Sequence, residues 1–137
     1  MNRRTSITFL TLILAQAGHS IEEYFSRLYD VLAPARFVSG LVSNDLRIGF
    51  VVFNCLLVAF GLWCYLGPVR RGAHSALAFA WFWAVLELLN GSAHLAWAAS
   101  AAAYRPGVVT APILVVISLA LAWQLRRFAV DSQRTAV

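Results

Sequence analysis

The sequence predicts an all-α, polytopic membrane protein: one bundle of four transmembrane helices with the N- and C-termini in the cytoplasm. Three observations predict it. Hydrophobic residues make up 61% of the 137 residues and charged residues 12%, about half the ~25% charged share of a soluble domain. Four apolar runs each reach the ~20 residues needed to cross a hydrocarbon core. The basic residues are all arginine, and doublets at Arg3–Arg4, Arg70–Arg71 and Arg126–Arg127 sit at run ends, the pattern of topology-setting charge.

The first helix is expected over 6–32, closed by Pro34 and the segment SGLVSN. MNRR followed by ITFLTLILAQAG has the layout of a secretory leader, and AQA resembles a cleavage tripeptide. The helical pattern runs on through HSIEEYFSRLYDVL, so the segment is read as a retained helix. Asn44 or Ser43 is expected to cap a second helix over 45–66, stopped by Gly67 and Pro68. A third helix is expected over 73–103, ended by Arg105, Pro106 and Gly107, and a fourth over 109–130 with Pro112 in its first turn. A polar tail follows. No linker divides the chain, so residues 1–137 are read as a single domain.

The arginine doublets at the N-terminus, between helices two and three, and at the C-terminus place those three segments in the cytoplasm. An integral membrane location is expected. The net charge of +5 could suggest nucleic acid, but no basic stripe with interleaved aromatics exists. Nucleic acid is therefore excluded as a partner. Trp63, Trp123 and Tyr104 fall near helix ends, as interfacial anchors do. Cys55 and Cys64 are nine apart, on opposite faces of one helix, and read as small apolar filler.

Deep in the first helix stands HSIEE. At ~1.5 Å per residue, His19 lies ~20 Å from the inner surface, and Glu87 reaches nearly the same depth on the third helix. At ~100° per residue Gln16, His19, Glu23, Ser26 and Asp30 share one face, with Glu22 on its flank. Glu87, Asn90, Gly91 and His94 share a face of the third helix. If the two faces meet, His19, Glu22, Glu23, Glu87, Asn90 and His94 form one cluster in the outer half of the membrane.

Polar groups in a bundle can simply bond helices together, each pair contributing ~1 kcal/mol or less. Asn54 is read that way. Three carboxylates are not, because a charged group at a helix centre costs ~2.5–3.5 kcal/mol on insertion scales, and Ser, Thr or Asn would serve as glue more cheaply. His74, beside Arg70 and Arg71, is read as solvated. Arg27, Asp30 and Arg36 are read as surface residues of the outer loop. Trp83 and Trp97 are read as packing residues or pocket walls.

At these residues the chain resembles the HXXEE family of small multi-pass proteins, mostly prokaryotic. HSIEE carries the naming motif, ELLNGSAH resembles that family's downstream Asn and His pair, and YRPGVVTA resembles its Tyr-x-Pro-Gly-x-x-Thr turn. The resemblance spans nearly the whole chain. It implies a polytopic protein of a prokaryotic plasma membrane with His19, Glu22, Glu23, Asn90 and His94 at the functional site, and no assigned reaction. Tyr104, Pro106, Gly107 and Thr110 would form the outer turn that closes the pocket. Glu87 is added on geometry.

Three chemistries fit. A metal enzyme acting on a lipid or isoprenoid ranks first: His19, Glu23, Glu87 and His94 would hold Zn or non-haem Fe, with Glu22, Glu23, Glu87 and Asn90 in catalytic roles. A metal-free acid–base isomerase or cyclase, using a protonated Glu and no cofactor, ranks second. Proton or metal transport, or a lipid-binding subunit, ranks third, since four short helices without an inverted repeat need to oligomerise to transport. The expected partners are membrane lipids and a hydrophobic small-molecule substrate, with a homo-oligomer left open.

Overall fold

A computed structural model describes the backbone of residues 1–134 and side chains through Phe128. The described residues are helical, with no strand among them. The first helix, α1, spans Arg3–Phe25 and is capped by Asn2, whose side chain accepts from the backbone N–H of Thr5 at 2.9 Å. Its buried stripe begins apolar, with Phe9, Leu12 and Ile13, and ends polar, with Gln16, His19, Ser20 and Glu23. These positions recur every three or four residues, so one face carries both core and site.

The helix expected over 6–32 breaks at Phe25. The Ser26 hydroxyl donates back to the Glu22 carbonyl, and Arg27 turns left-handed at φ 56°. A serine that bonds the preceding turn competes with helix continuation. Exposed Arg27 then pairs with Asp30 at 2.6 Å, across the single turn α2, Leu28–Val31. Where the sequence suggested a closing loop, α3 runs Ala33–Val42. Pro34 lies in its first turn, where a missing N–H leaves no bond unmade. This helix docks on the next through Gly49, where a Cβ would fall onto the Ser39 carbonyl oxygen.

Asp45, rather than Asn44 or Ser43, caps α4, Leu46–Cys64, by accepting from the N–H groups of Arg47 and Ile48 at 2.9 and 3.2 Å. Gly67 and Pro68 do not stop it. The chain widens into a π-helical turn, Tyr65–Val69, which takes in Pro68. A proline lacks the N–H that an α-turn needs and crowds the carbonyl before it; the wider turn relieves both. Gly72, at φ 66°, then reverses the chain. The third and fourth long helices are shifted from 73–103 and 109–130: α5 spans Ala76–Ala101, closed by left-handed Ala102, and α6 spans Ala111–Arg134. The last three residues of the expected polar tail lie outside the described residues.

Met1, Gly72, His74 and Phe128 line one cavity of about 240 Å³, so the start of α1, the α4–α5 turn and the far end of α6 gather together. At the other end Glu22 meets the turn before α6. The first helix therefore runs the length of the bundle. Among the described residues three helices, not the expected four, are long and apolar enough to cross a membrane: Leu46–Val69, Ala76–Ala101 and Ala111–Phe128. The polar end of α1, from Gln16 to Glu23, dilutes its apolar first half; the side chains that build the site are those that lower its hydropathy.

Phe9, Leu12, Ile13, Trp83, Leu121 and Leu125 are fully buried. Trp83 is thus core rather than pocket wall, and Gly61 gives its ring and Ile13 room, since a Cβ there would lie 2.7 Å from Ile13. The outer surface carries Leu14, Ile21, Leu56, Leu89, Val116 and Leu119, each more than half exposed. An apolar exterior around a core with polar groups at one end is consistent with a membrane protein.

Candidate functional site

The last turns of α1 set His19 and Glu23 one above the other. His19 is fully buried and its Nε2 lies 3.3 Å from Glu23 Oε1. From α5, His94 brings its own Nε2 to 3.0 Å from the same oxygen. The two rings meet edge to face, with centroids 4.8 Å apart. One donor atom from each of His19, Glu23 and His94 falls within 4.8 Å of the others, a grouping able to hold a metal ion.

The outer nitrogens of both rings are engaged. His94 Nδ1 lies 2.6 Å from the carbonyl oxygen of Pro106, which can only accept, so the proton is on Nδ1. His19 Nδ1 lies 2.7 Å from Thr110 Oγ1. That hydroxyl gives its own proton to Glu22 Oε2 at 2.5 Å, so it accepts from His19. Both rings therefore turn Nε2 toward Glu23, as a lone pair when the ring is neutral and as an N–H when it is protonated. Although His19 Nε2 is within ion-pair reach of that carboxylate, its geometry is not that of a hydrogen bond, and the atom is buried without a hydrogen-bond partner.

Gly107 makes this convergence possible. It adopts φ +86°, and a Cβ there would stand 2.6 Å from His94 Nδ1 and 2.8 Å from a carbon of the His19 ring. Gly91 serves a similar purpose nearby, where a Cβ would lie 2.8 Å from the Ala111 carbonyl oxygen. These two close approaches draw α5, the 102–110 turn and α6 together.

Glu22 points elsewhere. Its carboxylate accepts from Tyr104 Oη at 3.2 Å, Val109 N at 3.1 Å and Thr110 N at 2.8 Å, besides the Thr110 hydroxyl. It anchors the outer turn rather than entering the trio. Glu87, expected as a fourth metal ligand, also lies outside the trio. It is 1% exposed, and Asn90 Nδ2 approaches it at 3.3 Å. The same Asn90 nitrogen lies 3.4 Å from Gln16 Oε1. Gln16 donates to Ser20 at 3.1 Å, and Ser20 to Asn54 Oδ1 at 2.7 Å. A polar chain thus crosses from α4 through α1 to α5, with Asn54 in the bonding role read for it.

Beside this chain lies a cavity of about 380 Å³, walled by Leu28, Val38, Phe50, Phe53, Leu57 and Leu86, among others, and reached by Gln16, Glu23, Glu87 and Asn90. Trp97 stays outside it, under the Arg105 guanidinium at 5.2 Å and edge-on to His94. His74 is exposed at the opposite end. Two features are not anticipated by the sequence reading. The hydroxyl of Thr110 reaches His19 across 91 positions of chain, which no local spacing signals. Ser20 bonds Gln16, and its i+4 spacing on the same helix is the signal that could have found it.

No curated protein and no solved structure matches the chain. A family model described as "Protein of unknown function with HXXEE motif" matches residues 10–122, and the chain belongs to that family.

Proposed function

We propose that this membrane protein is an enzyme that holds a Zn or non-haem Fe ion on His19, Glu23 and His94 and acts on a hydrophobic molecule drawn from the bilayer. The observation that carries the reading is the buried, partnerless Nε2 of His19, set with His94 Nε2 against a single carboxylate oxygen. Three lone pairs facing one another repel unless a cation or proton sits among them. The donor set supports this: ligand atoms around a tetrahedral ion at ~2.0–2.2 Å stand roughly 3.3 Å apart, close to the 3.0 and 3.3 Å that separate Glu23 Oε1 from the two rings, and the three donor atoms lie within 4.8 Å of one another. The outer shell fits as well, because metal-bound histidines donate their other N–H to a fixed acceptor, as these donate to Pro106 and Thr110.

When bound, such an ion polarises an oxygen of the substrate or activates a water. The protein's own role is to hold both imidazoles in one tautomer, to close the outer side with the Glu22-anchored turn, and to offer Glu23 to the apolar cavity. Two histidines and one carboxylate leave coordination positions open. The arginine doublets gather at the end opposite the site, which supports cytoplasmic termini and a site in the outer half of the membrane; the family resemblance makes a prokaryotic plasma membrane the expected location.

A metal-free acid–base isomerase or cyclase is the second reading. It is favoured by the buried Glu87 carboxyl on the same cavity as Glu23. Elemental analysis of detergent-purified protein decides between them. Near-stoichiometric Zn or Fe in the wild type, absent from His19→Ala/His94→Ala, is expected. Protein that takes up neither ion on reconstitution overturns the metal reading.

A further inference from the structure

The metal trio leaves one buried carboxylate without a task. Glu87 is 1% exposed, takes no part in the trio, and opens onto the cavity. Its hydrogen bond from Asn90 is a long one, 3.3 Å, and a carboxylate has about four acceptor sites. No cationic side chain pairs with it among the described residues. A carboxylate in an apolar cavity is costly unless something donates to it.

The rest of the cavity says what that something is. Its walls are almost wholly apolar, from Leu28, Val38, Phe53 and Leu57 to Leu86 and Leu89, and its volume of about 380 Å³ suits a ligand. Large apolar side chains, among them Phe37, Leu41, Phe53 and Leu89, stand exposed on the helices around it, the surface a bilayer would cover. Among its polar lining, Glu87 can only accept if ionised, and Gln16 Nε2, which gives one N–H to Ser20, keeps a second to donate.

We propose that Glu87, with Asn90 and Gln16, is a recognition subsite for the hydroxyl head of an elongated lipophile. A hydroxyl both donates and accepts, matching a carboxylate beside an amide, whereas an ammonium only donates and an ether only accepts. The apolar body lies along the Phe53–Leu57 and Leu86–Leu89 walls. Because Glu23 borders the same cavity, the bound head is delivered beside the trio. This deepens the reading of an enzyme acting on a hydrophobic molecule and rests on it.

The test uses the full chain in phosphatidylcholine nanodiscs. The probes are diazirine-bearing dodecanol, its methyl ether and the matching dodecylamine, with labelled peptides read by mass spectrometry. The alcohol is expected to label cavity residues at least about ten-fold more than the ether, the worth of a hydrogen bond to a charged group. Glu87→Leu is expected to erase that preference while ether labelling and metal content stay as in the wild type. Asn90→Leu, at a half-buried position, is expected to reduce it.

Equal labelling by alcohol and ether, a preference that survives Glu87→Leu, or an amine that outlabels the alcohol overturns the proposal. The wild-type comparison stands even if a variant fails to fold. A chain that holds no metal yet prefers the alcohol sinks the metal reading and keeps the subsite. A chain that holds metal without the preference does the reverse.

Discussion

Gly107 backs onto the His94 imidazole so closely that a Cβ would lie 2.6 Å from its Nδ1. The position also needs φ +86°, which side-chain-bearing residues rarely adopt. Gly107→Ala is therefore expected to destabilise the protein by about 1–3 kcal/mol through overpacking and to displace both rings. Thermal unfolding in detergent, together with metal content, checks this. A variant with wild-type melting and full metal would show that the turn relaxes without cost.

Glu22 is expected to act through Thr110. Glu22→Gln and Thr110→Val should each weaken metal binding by about 10–100-fold, the usual effect of losing a partner behind a ligand. Since both remove the same support for His19, the double variant should lose little more than the worse single one. Competition with a chromogenic chelator measures all three. Strictly additive losses would mean that the two residues act separately.

Bound metal should also show as stability. A ligand that binds only the folded state raises its stability by RT ln(1 + [L]/Kd), about 4 kcal/mol at a thousand-fold excess over Kd. Chelator should lower the melting temperature of the wild type and leave His19→Ala/His94→Ala unmoved. A shift of equal size in both would point to binding elsewhere.

The docking of α3 is separable from the trio. Gly49→Ala puts a methyl against the Ser39 carbonyl and should lift α3 from α4. Amide exchange over 33–42 is expected to rise while metal content stays unchanged. Loss of metal in this variant would tie α3 to the trio more closely than their contacts indicate.

Orientation can be read with single cysteines in a chain whose Cys55 and Cys64 are replaced by alanine. Asn2→Cys and His74→Cys should react with an impermeant maleimide from the cytoplasmic side, and Tyr104→Cys from the outer side. The opposite pattern would invert the proposed topology.

Much of the arrangement is legible in the sequence because helical spacing is local. His19 and Glu23 at i, i+4 and the recurrence of Glu87, Asn90 and His94 place two polar faces at matching depth. What escapes depends on contacts between distant segments. Nothing in SRLYD announces a left-handed Arg27, since any residue can be forced there by the packing on either side. Pro68 reads as a stop because a proline breaks an α-turn, yet a π-turn absorbs it. Glu22 and Glu23 look equivalent as neighbours, but ~100° of rotation sends one to the turn and the other to the histidines. The expected fourth span fails because the polar side chains that make α1 useful also lower its apolar character.

The junction between His19 and Thr110 bears on how the protein is made. The first helix leaves the ribosome long before its partners, since the residues that satisfy Glu22 lie 82 to 88 positions downstream. Until they arrive, α1 carries two acids and a histidine with nothing to answer them, and charged groups of this kind enter a helix centre at a cost of ~2.5–3.5 kcal/mol each on insertion scales. Its settled place in the bundle thus comes late, when α5 and α6 present His94 and the outer turn. The site is in this sense the closing step of biogenesis: a chain truncated before Thr110 would leave its own first helix without a settled home.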